Sequence, residues 1–358
     1  MVTSYARSGS GLETRKILLV GDYPPPHGGI AVHVRDLHCA LRGSRATVRV
    51  LGLGGRDRDV PGVTSVAHST TLAAHLVRYT SLGYLVHAHI SGHTPKSWLV
   101  ALACTLFRAW WARAPLLTVH SGLTASFFAV SGHHRALARL ICRRFGLVIA
   151  VDPHLAAALA EVGTPSERLF VAPAFSPRGV DPGDLPDEVA ELRRLLSPLV
   201  CAAVTERPVY GARALLQALP AIVRDHPAAG AVVFGPRTQE LRQLAQAYRV
   251  ADRVAFLGEL PRARAQAVIG ACDVFVRPTL ADGDAVSVRE AMQLGRPVAA
   301  SAVGYRPAGV ALFRAADPEE LANAVLQALA RGPIPAPPTD GVARVLELYA
   351  VRVPHAQS

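Results

Sequence analysis

The 358 residues, half of them apolar, supply enough material for a substantial buried core, and the length favours two domains over one. Five scattered cysteines (Cys39, Cys104, Cys142, Cys201, Cys272) show neither metal-ligand spacing nor a CxxC pair, which argues against a disulfide framework and predicts reduced thiols in a cytoplasmic protein. The formal net charge of +11 is uneven, with 18 Lys and Arg against 8 Asp and Glu in residues 1–175 but 20 against 19 in residues 176–358; a basic half suits lipid headgroups or phosphorylated acceptors, and a compositional bias towards Arg gives the same count.

The first sixteen residues carry no apolar run, so no secretory signal is expected. ILLVG (17–21) reads as a strand and is followed by a loop holding Gly28 and Gly29. Ile30, Val34, Leu37 and Leu41 then recur at helical spacing before Gly43, and VRVLGL (48–53) returns to strand, completing a βαβ unit. Further strands are expected at 84–90, 115–120, 146–151 and 168–173. The first of these places His87 and His89 on one face with no carboxylate near in sequence, so a metal centre built on His87, His89 and His93 is not expected.

Two basic, apolar stretches lie between these strands, PKSWLVALACTLFRAWWARAP and SGHHRALARLICRRF. In the second, Arg135, Arg139 and Arg143 recur beside Leu137, Leu140 and Ile141, a basic amphipathic helix that fits either an anionic membrane surface or the outer face of an ordinary helix. Nucleic acid fits less well, because no base-stacking aromatic module accompanies the charge. The longest apolar stretch, 98–107, falls short of the roughly 20 residues that span a bilayer.

FSPRGVDPGDLPDE has the composition of an interdomain linker. A second strand series follows at 199–204, 231–235, 253–258, 273–278, 297–301 and 310–314 with helical patterns between, and Asp317, Pro318 and Glu320 form a helix start. Alternation of this kind predicts parallel sheets built from βαβ units, an α/β class.

The most informative segment is RPTLADGDAVSVREAMQLGRPVAAS, residues 277–301. A strand ends at Pro278, a glycine-containing loop carries Asp282, Gly283 and Asp284, and a helix runs from about 285 to 294. The amides of Ala285, Val286 and Ser287 then form a helix N-terminus suited to a diphosphate, because unsatisfied N–H groups and the helix dipole both favour negative charge. Glu290, one turn on, is placed to accept the hydroxyls of a ribose, and Asp282 to meet a hexose. Asp282-Gly283-Asp284 also mimics a metal-binding DxD, a reading that leaves the rest of the segment unexplained.

This segment resembles the signature of the retaining GT-B glycosyltransferases of family 4, two acids with seven residues between them within PS-x-x-EGFG-x-x-x-LEAMA-x-G-x-PV-x-AS. Asp282 and Glu290 fall on the acidic positions, and Ala291, Met292, Gly295, Pro297, Val298 and Ser301 match the frame. KILLVGDYPPPHGGIAVHVRDLHCAL is similar to the family's first strand, Gly-Gly loop and first helix, with Gly28 and Gly29 matching. PLLTVHSG resembles the strand whose terminal His faces the transferred sugar, here His120. One element departs: where the family offers Arg and Lys to the leaving diphosphate in a G-R-x-x-x-x-K-G frame, this chain has Thr205 and Tyr210, and Arg207, with Arg277, is the nearest replacement.

The resemblance implies a GT-B architecture, two Rossmann-like domains facing across a central cleft: an acceptor-side domain at 1–174, a linker at 175–198, a nucleotide-sugar domain at 199–340 and a C-terminal helix at 341–358 crossing back. It implies metal-independent, retaining transfer from a nucleotide-diphosphate sugar, a substrate and not a cofactor, to a glycan or lipid-linked acceptor in cell-envelope or extracellular polysaccharide synthesis. Asp282, His120 and Arg207 are then catalytic, and Gly28, Gly29, Arg277, Gly283, Asp284, Ala285, Val286, Ser287 and Glu290 hold the donor. Partners are the nucleotide-sugar, the acceptor and, through the basic half, an anionic membrane at the inner face of the cell membrane. The rivals are a catalytically silent scaffold of the same fold, motivated by the altered acid, Arg and Lys positions, and a sugar-nucleotide epimerase, which converts donor without acceptor.

Overall fold

The computed structural model describes residues 15–25, 28–54 and 60–352. The chain divides into two compact units, Met1–Ser176 with Thr339–Ser358, and Pro177–Pro338.

In the first unit the elements run β1 (Lys16–Asp22), α1 (Gly29–Arg42), β2 (Thr47–Leu53), β3 (Val63–Val66), α2 (Ser69–Ser81), β4 (Leu85–Ile90), α3 (Pro95–Leu106), β5 (Leu116–Val119), α4 (Thr124–Val130), α5 (Gly132–Cys142), β6 (Leu147–Ala150), α6 (Pro153–Glu161) and β7 (Leu169–Val171). All seven strands are parallel, in the order β3-β2-β1-β4-β5-β6-β7. Strand β4 is buried on both faces, as the centre of a doubly wound sheet requires. Helix α1 packs through Val34, Leu37 and Leu41, each wholly buried, in the register that its apolar spacing predicts. The edge strand β3 was not legible, because VTSV is only four residues long, three of them half-buried, without a sustained alternation.

The second unit begins with α7 (Asp187–Leu195), so residues read as linker carry a helix whose Val189 is wholly buried in this unit's core. It continues through β8 (Leu199–Ala203), α8 (Ala212–Asp225), β9 (Gly230–Phe234), α9 (Arg242–Ala247), β10 (Val254–Gly258), α10 (Arg262–Ala271), β11 (Val274–Arg277), α11 (Val286–Gln293), β12 (Val298–Ser301), β13 (Ala311–Phe313) and α12 (Pro318–Arg331). Its six parallel strands are ordered β10-β9-β8-β11-β12-β13, so strand order reverses between β8 and β11. Asp317 caps α12 by accepting the amides of Glu319 and Glu320 at 3.1 and 3.0 Å, as its Asp-Pro-x-Glu start predicts.

The last helix, α13 (Gly341–Arg352), returns to the first unit. Val342, Val345, Leu346 and Tyr349 enter its core beside Ile17 and Leu37. Tyr349 reaches the sheet interior, where its hydroxyl meets His87 Nδ1.

Candidate active site

In open parallel sheets, ligands bind beyond the carboxyl ends of the strands at the point where strand order reverses. In the second unit that point lies between β8 and β11, and the loops leaving these strands are locked together. Gly211 makes the lock: its φ is +68°, and a Cβ there would sit 1.8 Å from the Pro278 carbonyl oxygen, so only glycine permits the approach. The Leu280 amide donates to the Val209 carbonyl at 2.8 Å alongside.

This lock brings Tyr210 against Arg277, whose guanidinium stands 5.7 Å from the tyrosine ring centroid. The position where the resemblance expects a lysine thus holds an aromatic ring that carries a cation from the neighbouring strand. Thr205 is buried, and its Oγ1 accepts the Arg207 amide at 3.1 Å to shape the turn. The Arg207 side chain is exposed and makes no ion pair or side-chain hydrogen bond among the described residues.

Asp282 sits at the centre of a cationic cluster. Arg277 Nε and Nη2 donate to it at 2.9 and 3.3 Å, Arg306 Nη2 at 3.0 Å, the Thr279 hydroxyl at 3.0 Å and the Gly283 amide at 3.1 Å. Burial by itself would raise this carboxyl, but Arg277, Arg306 and the Thr279 hydroxyl outweigh it and hold the group below the usual carboxylate range. Arg306 has no counterpart in the sequence reading. It comes from the loop after β12, and that loop packs tightly because Gly304, at φ +68°, places its α-carbon where a Cβ would meet the Asp282 carbonyl oxygen at 2.5 Å. No local pattern marks an arginine on a distant loop as the second partner of an acid 24 residues earlier.

Helix α11 begins after Ala285. The Val288 and Arg289 amides both bond back to the Ala285 carbonyl, at 3.1 and 3.4 Å, while Val286 and Ser287 occupy the first turn, where amides lack helical acceptors. Glu290 is 7% exposed. Its Oε1 accepts from Arg262 Nε and from Gln266 Nε2, both at 2.7 Å and both from α10, while Oε2 takes no hydrogen bond among the described residues. Gln266 also bonds the Gly179 carbonyl and the Asp181 amide, tying Glu290 to the segment that opens this unit.

Asp284 turns inward instead. Both of its oxygens accept from Arg289 Nε, at 2.7 and 2.9 Å, with the two side chains 1% and 4% exposed. Asp282 and Asp284, the acids of the DxD look-alike, are therefore each paired with arginine, and no group of three or more metal-ligating side chains occurs among the described residues.

In the first unit, strand order reverses between β1 and β4. Gly28 and Gly29 lie there, exposed, and a Cβ on either would meet nothing within 4 Å, so the protein's own packing does not demand glycine at these positions. His120 follows β5 with its Nε2 3.3 Å from His89 Nδ1. His33 from α1 completes a triangle whose ring centroids lie 5.4 Å from His89 and 5.3 Å from His120, with 5.5 Å between the latter two. Desolvation lowers all three imidazoles, His33 to about 4, and the neighbouring histidines push His89 and His120 further down. His87 is spent on Tyr349 and on Thr118 Oγ1 at 2.7 Å and is structural. His120 is marked by the family frame at a strand end, but His33 and His89 join it only through folding, from a helix and a different strand.

Residues 198–331 match the family model described as Glycosyl transferases group 1. The chain is similar to the GDP-mannose-dependent alpha-(1-6)-phosphatidylinositol monomannoside mannosyltransferase of Mycobacterium tuberculosis, 28% identical over 328 residues and covering 82% of each chain. It is also similar to the putative colanic acid biosynthesis glycosyltransferase WcaL of Escherichia coli, 28% identical over 200 residues, 52% of this chain and 47% of that one. Among solved structures, Anabaena Alr3699/HepE in complex with UDP superposes with a TM-score of 0.67 at 22% identity, covering 94% of both chains. Sucrose-phosphate synthase from Thermosynechococcus elongatus gives 0.67 at 20%, covering 94% of this chain and 93% of that one. The two structures establish the shared fold. With the order and direction of both sheets, the two structures show a GT-B fold, and the family-model match over residues 198–331 and the relatives support a group 1 glycosyltransferase.

Proposed function

We propose that the protein transfers a sugar, with retention and in the manner of family 4, from a nucleoside-diphosphate sugar to a glycan or lipid-linked acceptor in cell-envelope or extracellular polysaccharide synthesis. The observation that carries this reading is the grouping, at the strand-order reversal of the second unit, of a helix N-terminus, a cation cluster and an acid with one uncommitted oxygen. These match the three parts of such a donor.

In this reading the Val286 and Ser287 amides and Arg277 bind the diphosphate, Arg207 adds a solvent-side cation, and Glu290 Oε2 accepts the ribose hydroxyls. Asp282, held ionised by its arginines, contacts the transferred sugar, and His120 keeps the sugar-facing role that the family resemblance gives it. Gly283 and Asp284 shape the loop, and Gly28 and Gly29 leave room beside the first unit's strand ends. The departing diphosphate takes the acceptor proton itself, so neither a protein base nor a metal is assigned a step. Amides and guanidinium groups stabilise the charge that develops on the leaving group, where one donor is worth about 3 kcal/mol of barrier. The relatives' printed names, a mannoside mannosyltransferase and a colanic acid enzyme, support an envelope role. The +10 balance of residues 1–175 supports an anionic membrane as the place of work.

The test is incubation of the purified protein with a panel of nucleotide sugars, following release of free nucleoside diphosphate, with and without membrane-extracted acceptors. Release from one donor class, abolished in Asp282→Ala and Glu290→Ala, with product retaining the donor's anomeric configuration by proton NMR, supports the proposal. Inversion of configuration, or epimerised donor without transfer, contradicts it.

A further inference from the structure

The sheet edge of the first unit opposite His120 exposes large apolar side chains. Connections from a helix into the next parallel strand all lie at that edge, and three adjoin there: those from α2 to β4, from α3 to β5 and from α5 to β6. Two contacts join them. The Ala109 amide donates to Thr80 Oγ1 of α2 at 2.9 Å, and the Gly146 amide after α5 donates to the Pro115 carbonyl at 2.9 Å.

Trp110 and Trp111 stand on the central connection, 88% and 60% exposed, beside exposed Leu106 and Phe107 and across from exposed Leu82. Helix α3 leads into it with Leu99 and Leu106 facing solvent while Trp98, Ala101 and Cys104 are buried, so this helix is apolar on both faces. A surface helix normally turns a polar face to water. At twelve residues α3 cannot cross a bilayer, and no helix among the described residues is long and apolar enough to do so.

Within these three connections and their helices the charge has one sign, and exposed Glu161 and Glu167 lie only on the next connection, from α6 to β7. Residues 60–151 contain no Asp or Glu at all, against eight Lys and Arg. Arg108 and Arg113 flank the tryptophans, Arg78 lies in the last turn of α2, and Arg143 and Arg144 sit exposed one turn beyond exposed Leu140 at the end of α5. A second copy of the chain would bring like charge against like charge, whereas an anionic bilayer offers both counter-charge and an apolar interior. Tryptophan favours that boundary, its ring apolar and its N–H wet.

We propose that this edge docks on an anionic lipid bilayer, with Trp110 and Trp111 inserted among the headgroups and Arg108, Arg113, Arg143 and Arg144 on lipid phosphates. The inference deepens the membrane partner named above and stands apart from donor chemistry, because the docking edge and His120 occupy opposite ends of the strands.

The test is co-sedimentation of the full-length protein with vesicles of phosphatidylcholine alone or mixed with phosphatidylglycerol, together with tryptophan emission. The expected result is binding only to the phosphatidylglycerol vesicles, weakened by salt, and a blue shift on binding. W110A/W111A should lower the partition about tenfold, and R143E/R144E at least about 25-fold. W110F/W111F leaves the buried Trp98 as the sole reporter and should show no blue shift. Nucleoside-diphosphate release measured on the same preparations should be unchanged, so loss of release in wild type contradicts the enzymatic reading while leaving the docking result to stand by itself. Equal binding to both vesicle types, undiminished binding by W110A/W111A, capture by heparin without vesicle binding, or Trp-dependent self-association would each overturn the proposal. The salt and emission measurements on wild type need no variant and decide it even if a variant misfolds.

Discussion

Replacing Arg277 by Met asks whether the cation missing from the turn after β8 is supplied from β11. The guanidinium spends Nε and Nη2 on Asp282, and Nη1 makes no hydrogen bond among the described residues. Its removal takes away one donor to the departing diphosphate, worth about 3 kcal/mol, or 10²- to 10³-fold in kcat. Folding should suffer less. Asp282 keeps Arg306, Thr279 and the Gly283 amide at 3.0, 3.0 and 3.1 Å, so no buried charge is stranded and the cost stays at about 2 kcal/mol instead of the roughly 3–5 kcal/mol of a broken buried pair. Arg207→Met, at an exposed side chain without partners among the described residues, should lower kcat only a few-fold. The assay is nucleoside-diphosphate release under saturating donor, with urea denaturation as the stability control. A larger loss in Arg207→Met than in Arg277→Met would refute the transfer of the cation between strands.

Asp284→Ala removes the carboxylate that holds buried Arg289 and should destabilise the protein by about 3–5 kcal/mol, read as a lower urea midpoint; an unchanged midpoint would show that the pair does not support the loop. His89→Asn keeps a polar atom near the place of Nδ1 and should preserve turnover, whereas His89→Leu should lower kcat with little change in KM; equal effects would remove His89 as the orienting neighbour of His120. Stability should fall with acid. His33 and His87 are buried neutral, at about 4 and about 3 against an ordinary 6.5, so the unfolded chain binds more protons below pH 6.5 and each costs about 2 kcal/mol at pH 5. Denaturation midpoints equal at pH 7 and pH 5 would contradict this.

Much of the fold was legible because it rests on local pattern. Buried parallel strands are short apolar runs, and all six strands of the second sheet announced themselves so, while α1 showed its face through Val34, Leu37 and Leu41. Strand β3 was too short and too exposed to do so, and α7 lay hidden in a segment whose Pro, Gly and acids read as linker although Val189 anchors it. At the candidate site, one contiguous segment, with Asp282 and Glu290 in it, stood out through its strand-loop-helix pattern and its resemblance to the family frame. What they touch was not. Arg306, Gln266 and Arg262 reach them from other loops and helices, and the meeting of His33, His89 and His120 depends on β4 lying between β1 and β5.

Isothermal titration of the intact protein with UDP and with GDP shows whether the first turn of α11 and Glu290 together hold a nucleoside diphosphate. One of the two should bind with one-to-one stoichiometry in wild type and lose at least about tenfold in affinity in Glu290→Ala, where the ribose contact is gone. No binding of either nucleotide, or full affinity in that variant, would contradict it.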